Sequence, residues 1–161
     1  MSTVRRSHLA AMVLALLSFF CGAPSGVTFA QQGKFVPTGS MSESRGVHTA
    51  TLLNSGKVLI VGGLQNFSVY LDSAELYDPT AGTFSPTGNL NAARWGHTAT
   101  LLTNGKVLIV GGENLTGDLS EAELYDPTTG TFSVTGSLNT PRRFHAATLL
   151  NDGMVLVAGG C

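Results

Sequence analysis

The stretch RWGHTATLLTNGKVLIVGG, residues 94–112, decides the fold because the chain contains it three times. An almost identical copy, RGVHTATLLNSGKVLIVGG, occupies residues 45–63, and a third, RRFHAATLLNDGMVLVAGG, occupies residues 142–160. The histidines of the three copies lie 49 and then 48 residues apart. Such a fixed step indicates an array of structural units, each of which packs against its neighbours.

Each unit predicts four short β-strands. The strand HTATLL begins at His48, and a turn containing Asn and Gly separates it from the apolar strand KVLIVGG. This second strand does not alternate between apolar and polar residues, so we expect both of its faces to be covered. The third strand is AELYDP, and the fourth begins at Thr83 or Thr131 after a turn with Pro and Gly. Nothing after residue 30 indicates a helix, and four antiparallel strands per unit are typical of an all-β propeller blade.

The repeat resembles the kelch motif. The resemblance rests on paired glycines that close the second strand, on Tyr-Asp-Pro in the third strand, and on Arg-x-x-His before the first. These structural repeat residues are Arg45, His48, Gly62, Gly63, Tyr77, Asp78, Arg94, His97, Gly111, Gly112, Tyr125, Asp126, Arg142, His145, Gly159 and Gly160.

The resemblance covers Phe35 to Gly160, with Phe84 and Phe132 where kelch blades usually carry tryptophan. It implies a kelch-type β-propeller of about two and a half four-stranded antiparallel blades, which is a partial propeller. The units span about 35–84, 85–133 and an incomplete 134–161. Propellers usually close a ring of 4–8 blades.

Three interpretations of the incomplete last unit remain open. The first is that the sequence is the N-terminal part of a longer propeller. The second is head-to-tail self-association, in which Phe35–Met41 of one copy completes the half blade of another, although that junction would lack a third strand. The third is that the chain does not fold alone.

Residues 1–30 are predicted to be a signal peptide that is cleaved near Ala30. Arg5 and Arg6 precede the apolar run from Leu9 to Phe20, which at twelve residues is too short to cross a membrane, where about 20 are needed. We therefore expect a secreted or periplasmic protein with no stable membrane span in the mature chain. An uncleaved interfacial anchor, lipid modification of Cys21 and twin-arginine export are the alternatives.

The segment after the predicted leader, residues 31–161, carries seven Lys and Arg against ten Asp and Glu. It contains no basic cluster, which argues against nucleic acid as a partner. Cys161 is its single cysteine, so no internal disulfide is expected.

No catalytic residue, metal or cofactor is predicted. His48, His97 and His145 occupy equivalent blade positions, and symmetry should spread them around the propeller, whereas zinc needs ligands about 2.0–2.1 Å from one ion. We expect each histidine, with its preceding arginine, to hydrogen-bond between blades. Kelch-type propellers include the central domain of galactose oxidase, but Tyr77 and Tyr125 belong to the repeat, Cys161 is terminal, and no separate Tyr, His and Cys set remains.

Loops that differ between the units are the candidate binding region, because loops on a rigid scaffold carry function. The segment 64–73 (LQNFSVYLDS) is aromatic, whereas 113–121 (ENLTGDLSE) is acidic. In the kelch family these loops and the segment before the first strand emerge on the same face. The candidate contact residues are Phe67, Tyr70, Trp95, Asp118 and Arg143.

The sequence therefore predicts an exported, non-catalytic module that presents loops to a protein or carbohydrate partner. Unconstrained variation of the loops is the competing explanation for their differences. The alternative function is that of a fragment of an exported galactose-oxidase-like or glycan-processing enzyme, with catalytic residues beyond Cys161.

Overall fold

A computed structural model describes residues 26–31 and 34–161, with side chains from residue 35 onward. The predicted signal peptide, apart from residues 26–30, lies outside the described residues, as does Cys21. No helix occurs in the described ranges. The strands are β1 (Gly26–Gln31), β2 (Lys34–Ser40), β3 (Thr49–Leu52), β4 (Val58–Val61), β5 (Leu64–Gln65), β6 (Val69–Tyr70), β7 (Ala74–Asp78), β8 (Thr83–Pro86), β9 (Thr98–Leu101), β10 (Val107–Val110), β11 (Glu113–Asn114), β12 (Gly117–Asp118), β13 (Glu121–Asp126), β14 (Thr131–Ser137), β15 (Ala146–Leu149) and β16 (Val155–Ala158).

Two four-stranded antiparallel sheets form the centre of the structure. The first blade has the order β3-β4-β7-β8, and the second blade has the order β9-β10-β13-β14. Equivalent residues pair in the two sheets: Val58 lies opposite Tyr77 in the first, and Val107 lies opposite Tyr125 in the second. The predicted all-β, kelch-type partial propeller is confirmed.

A two-stranded hairpin flanks the blades on each side. The C-terminal hairpin, β15-β16, repeats the first two strands of a blade. The N-terminal hairpin, β1-β2, contains Phe35, where the resemblance to the repeat begins, and β2 pairs with β1. The structure thus has two complete blades between two hairpins, and the predicted cleavage near Ala30 would remove all of β1 except Gln31.

The second strand of each blade is buried because neighbouring blades cover its faces. Leu59 and Val61 of β4 are fully buried and form one core cluster with Val107 and Ile109 of β10. Ile60, which points away from this cluster, is only 6% exposed. Burial of such a side chain stabilises the fold by about 1.5–3 kcal/mol. This confirms the prediction from the continuous apolar run.

Hydroxyl pairs join each fourth strand to the third strand of the next unit. Thr38 Oγ1 lies 2.7 Å from the Tyr77 hydroxyl, and Thr87 Oγ1 lies 2.9 Å from the Tyr125 hydroxyl. Tyr125 is fully buried, so its hydroxyl needs such a partner. The repeated tyrosine therefore both fills the core and bonds the blades to each other.

The paired glycines allow neighbouring blades to approach closely. The Gly63 N–H donates to Arg94 O at 2.9 Å in the second blade, and Gly63 has a φ of 102°, in the left-handed region that favours glycine. A Cβ on Gly62 would lie 2.6 Å from the same Arg94 oxygen. A larger residue at Gly62 would therefore separate the blades, whereas one at Gly63 would meet Gly46 O of its own unit at 2.7 Å.

A short antiparallel ribbon connects the second and third strands of each blade, where the sequence had indicated only a loop. The first ribbon is β5-β6 and the second ribbon is β11-β12. Isolated bridges pair Gly46 with Leu64 and Trp95 with Glu113. Each ribbon is thereby held against the segment that precedes the first strand of its own blade. Both kinds of variable segment lie at this end of the blades, which we call the rim.

Candidate functional site

A groove of about 310 Å³ lies on the rim between the first and second ribbons. Residues of the first ribbon line one side of the groove and residues of the second ribbon line the other. One further residue comes from the segment before the first strand of the second blade. These residues are Ser68, Val69, Tyr70, Ala93, Asn114, Leu115 and Thr116. The groove is open to solvent and presents aromatic and aliphatic carbon next to hydroxyl and amide groups, which suits a partner with mixed polarity.

The tips of the two ribbons expose apolar side chains on either side of this groove. Phe67 is 71% exposed, and Leu115 is 85% exposed. The tip of the first ribbon places Asn66 and Phe67 in the left-handed region, with φ of 50° and 57°. Residues other than glycine adopt this conformation at an energetic cost. The turn therefore holds a large aromatic side chain outward at a strained position.

The second ribbon is shaped by its asparagine. Asn114 Oδ1 accepts hydrogen bonds from the Thr116 N–H at 2.8 Å and from Thr116 Oγ1 at 2.7 Å. Such a side-chain turn closes the hairpin without a tertiary contact. Leu115, between the two bonded residues, is consequently directed to solvent.

A second cluster on the rim joins the second ribbon to the C-terminal hairpin. Arg143 Nη1 forms ion pairs with Glu113 and with Asp118, the latter at 3.3 Å. The hydrogen bond that the Arg143 guanidinium donates to Glu113, together with the negative charge of Glu113, raises the pKa of that guanidinium. Trp95 packs edge-on against Phe144 with ring centroids 5.3 Å apart. Both carboxylates are bound to the one guanidinium, so the cluster serves mainly as a contact between units.

The five predicted contact residues lie on one rim but not in one site. Tyr70 lines the groove, and Phe67 stands at the tip of the first ribbon. Trp95, Asp118 and Arg143 belong to the second cluster, where Asp118 and Arg143 bind each other.

Sequence reasoning missed Leu115, Asn114 and Thr116 in the groove. Leu115 could have been found because it is a single apolar residue within the polar tip ENLTG.

Two of the three repeated histidines bond directly across blades. His97 Nε2 lies 2.9 Å from Thr49 Oγ1, and His145 Nε2 lies 2.9 Å from Thr98 Oγ1. Burial, together with the nearby Arg94, lowers the pKa of His97 to about 3, so this imidazole is neutral at physiological pH. Burial also lowers the pKa of His145.

The arginine side chains do not bond between blades, so the prediction holds only for their backbone: the carbonyls of Arg94 and Arg142 accept from Gly63 and Gly112 of the preceding unit. Arg94 Nη2 pairs with Glu123 of its own blade at 2.8 Å, with both side chains almost fully buried. Arg45 makes the equivalent pair with Glu75 at 3.0 Å. Each guanidinium stays within its own blade because the third strand of that blade carries the buried carboxylate with which it pairs.

Among the described residues, no group of three or more His, Cys, Asp or Glu side chains is placed to hold a metal ion. His97 and His145 are committed to threonine hydroxyls, and Tyr77 and Tyr125 to the bonds between units. The residues that the structure describes therefore do not fit a copper centre of the tyrosine and histidine type.

Sheets of four antiparallel strands, stacked around one rim, define this as a kelch-type propeller segment. The family profile of the kelch motif matches residues 45–91 and 94–139, more than half of the chain. The chain therefore belongs to the kelch-motif family.

The fold is also similar to a solved structure described as a novel fungal alcohol oxidase with catalytic diversity among the AA5 family, in complex with copper. The superposition has a TM-score of 0.68 at 23% sequence identity, and it covers 78% of this chain and 30% of the other. At this identity the likeness shows the fold alone. A comparison with curated proteins gives no match. Neither described range contains a helix long and apolar enough to cross a membrane.

Proposed function

We propose that the chain is an exported, non-catalytic propeller module whose rim groove binds a protein or carbohydrate partner. The observation that carries this proposal is the groove between the two ribbons, with exposed Phe67 and Leu115 on either side. Apolar groups exposed together beside polar ones are typical of interaction sites.

The bonding of the polar groups supports a binding function rather than catalysis. Asp118 and Arg143 are paired with each other, and burial keeps His97 neutral between blades. A general acid or base needs a titratable group that can reach the substrate. Each of these three side chains is either buried or bound to another residue of the chain, so none is free to exchange a proton with a substrate.

Substitution at the groove tests the proposal. Binding of the labelled chain is screened on a displayed peptide library and on a glycan array, and the strongest ligand is titrated. Tyr70→Ala combined with Leu115→Ser should weaken that ligand at least tenfold, because truncation of a central contact typically costs more than about 1.4 kcal/mol.

Leu52→Ser is the matched control, since Leu52 is 62% exposed at the opposite end of the blades. It should leave binding unchanged. Equal loss in both variants would contradict a rim site. Copper bound stoichiometrically to the purified chain, with oxidase activity, would support the enzyme alternative.

Export rests on the sequence, in which Arg5 and Arg6 precede the apolar run up to Phe20. N-terminal sequencing of the protein made by its native cell should find Gln31 as the first residue. Recovery of the uncleaved chain inside the cell would contradict export.

A further inference from the structure

A second groove, of about 290 Å³, lies between the two complete blades at the end opposite the rim. One wall is the turn between the first two strands of the first blade. The other wall combines the equivalent turn of the second blade with the turn that precedes β14. The polar lining residues are Asn54 and Ser55 from the first blade, and Asn104, Lys106, Asp126 and Thr128 from the second. Both blades contribute to the groove, so neither could form it alone.

The charged groups of this groove bind each other. Lys106 Nζ lies 3.0 Å from Asp126 Oδ2, and Asp126 Oδ1 accepts from the Thr128 N–H at 2.9 Å. The hydrogen bond from Lys106, followed by that from Thr128, lowers the pKa of the Asp126 carboxyl, so this group is ionised at physiological pH. A phosphate or sulfate would lie beside the carboxylate, and an ammonium group would lie beside the lysine. The groove therefore suits a neutral ligand.

Two exposed carboxamides supply hydrogen-bonding groups that the rest of the chain does not use. Among the residues that the structure describes, the Asn54 side chain makes no hydrogen bond. Asn104 Oδ1 accepts from the Lys106 N–H at 3.0 Å, which leaves the Asn104 Nδ2 donors for solvent or a ligand. The groove thus offers donors on both walls and an acceptor on one. A hydroxyl group both donates and accepts, so a ligand with several hydroxyl groups can use all of them.

The glycine of the second turn brings the two walls together. Gly105 has a φ of 82°, and a Cβ at this position would lie 3.3 Å from Asn54 Nδ2 of the other blade. Without a side chain at Gly105, the Asn54 carboxamide can lie against the second blade. Leu53 and Pro127 add apolar carbon to the lining. A sugar ring has both the hydroxyl groups for the carboxamides and C–H groups for this apolar surface.

We propose that the groove between the blades binds one neutral sugar residue, either free or within a glycan. Its hydroxyl groups accept from Asn54 Nδ2 and Asn104 Nδ2 and donate to Asn54 Oδ1. The volume lies at the lower end of the about 300–1,000 Å³ of ligand pockets, which suits one ring rather than several. This site is separate from the rim groove and does not rest on the proposed function.

The probes are the methyl glycosides of glucose, galactose, mannose and N-acetylglucosamine. Each is titrated into the full chain labelled with ¹⁵N, and the side-chain amide signals of Asn54 and Asn104 are followed by NMR. We expect a saturable shift of both signals with at least one glycoside, at a dissociation constant on the order of 1 mM for so small a ligand. Asn54→Leu should weaken this binding about tenfold, measured at Asn104, because it removes a donor and an acceptor.

Gly105→Ala and Gly56→Ala form a matched pair. Both glycines have a φ of 82° in equivalent turns, so a Cβ strains both backbones equally. A Cβ at Gly56 meets nothing within 4 Å, whereas one at Gly105 displaces the Asn54 carboxamide. Gly105→Ala should therefore weaken the glycoside severalfold, and Gly56→Ala should leave its binding unchanged. Circular dichroism verifies that each variant is folded.

Three results would overturn the proposal. The first is no saturable shift with any of the four glycosides. The second is binding that neither Asn54→Leu nor Gly105→Ala weakens, and the third is tighter binding of inorganic phosphate at the same two carboxamides. Shifts confined to Tyr70 and Leu115 would assign the sugar to the rim groove instead and would likewise overturn a site between the blades.

Discussion

Removal of one charge from the buried pair Arg94–Glu123 should destabilise the second blade strongly. Arg94 is fully buried, and Glu123 is 1% exposed. Glu123 also accepts from the Asn91 N–H at 2.8 Å, so it joins the third strand to the segment before the first. Glu123→Gln keeps the size of the side chain but leaves the guanidinium charge uncompensated. Loss of one partner of a buried ion pair costs about 3–5 kcal/mol.

Urea unfolding followed by the fluorescence of Trp95, the single tryptophan, measures this effect. With a slope of about 1–3 kcal/mol/M, the midpoint should fall by about 1–3 M or more. Arg94→Met should cost a similar amount because it leaves Glu123 buried and unpaired. The double variant should cost less than the sum of the two, since the groups interact directly.

Arg142→Met is the control within the same chain. Arg142 occupies the equivalent position but has no carboxylate partner among the described residues, and its hydrogen bond to Gly159 O is exposed. Its replacement should cost less than about 1 kcal/mol, as for most surface substitutions. If Glu123→Gln costs no more than this control, the buried pair does not stabilise the blade and the reasoning is refuted.

Three further predictions concern two contacts between blades and the close approach of Gly112 to its own blade. Burial lowers the pKa of His97 from 6.5 to about 3, so between pH 7 and pH 5 the unfolded chain binds a proton at this histidine while the folded chain does not. The free energy of unfolding should therefore fall by about 2 kcal/mol from pH 7 to pH 5. His97→Gln should remove this part of the slope in denaturant titrations at both pH values. Thr87→Val should cost about 1–3 kcal/mol in urea unfolding by leaving the buried Tyr125 hydroxyl without its partner, and Thr87→Val with Tyr125→Phe should cost less than the two single changes together. Gly112→Ala, whose Cβ would lie 2.6 Å from a backbone oxygen, should lower stability by about 3 kcal/mol. Gly153→Ala, with similar φ but open space, should cost only about 1 kcal/mol by the same thermal or urea assay, and equal costs would contradict the close approach.

Most of the blade architecture could be predicted because its signals are local and repeated. The Asn-Gly turn, the run Val58–Val61 and the Pro- and Gly-containing turn before Thr83 each specify one step of the sheet. The paired β5-β6 ribbon was not predicted because it has two residues per strand, too few for a period to be read. Its formation depends on the tertiary bridge between Gly46 and Leu64.

The partner of each buried arginine could not be read from the sequence. Glu75 in AELYD has the appearance of an exposed residue in an alternating strand, yet it is 2% exposed and pairs with Arg45. Their separation of thirty residues gives no periodic signal. Nor does the sequence indicate the ion pair between Arg143 and Asp118, two candidate contact residues that meet across two units. Both ion pairs form because the fold brings opposite charges together that are distant in the sequence.

Nearly identical second strands have different burial because burial is determined by the neighbouring units. Leu59 is fully buried between two blades, whereas the equivalent Leu156 of the C-terminal hairpin is 54% exposed. Each second strand offers one face to the preceding unit and the other to the following one, so the apolar pattern must be kept in every unit. The packing requirement leaves only the rim segments free to differ, as Phe67 and Leu115 do. Selectivity of the proposed rim groove must therefore arise from the residues that break the repeat.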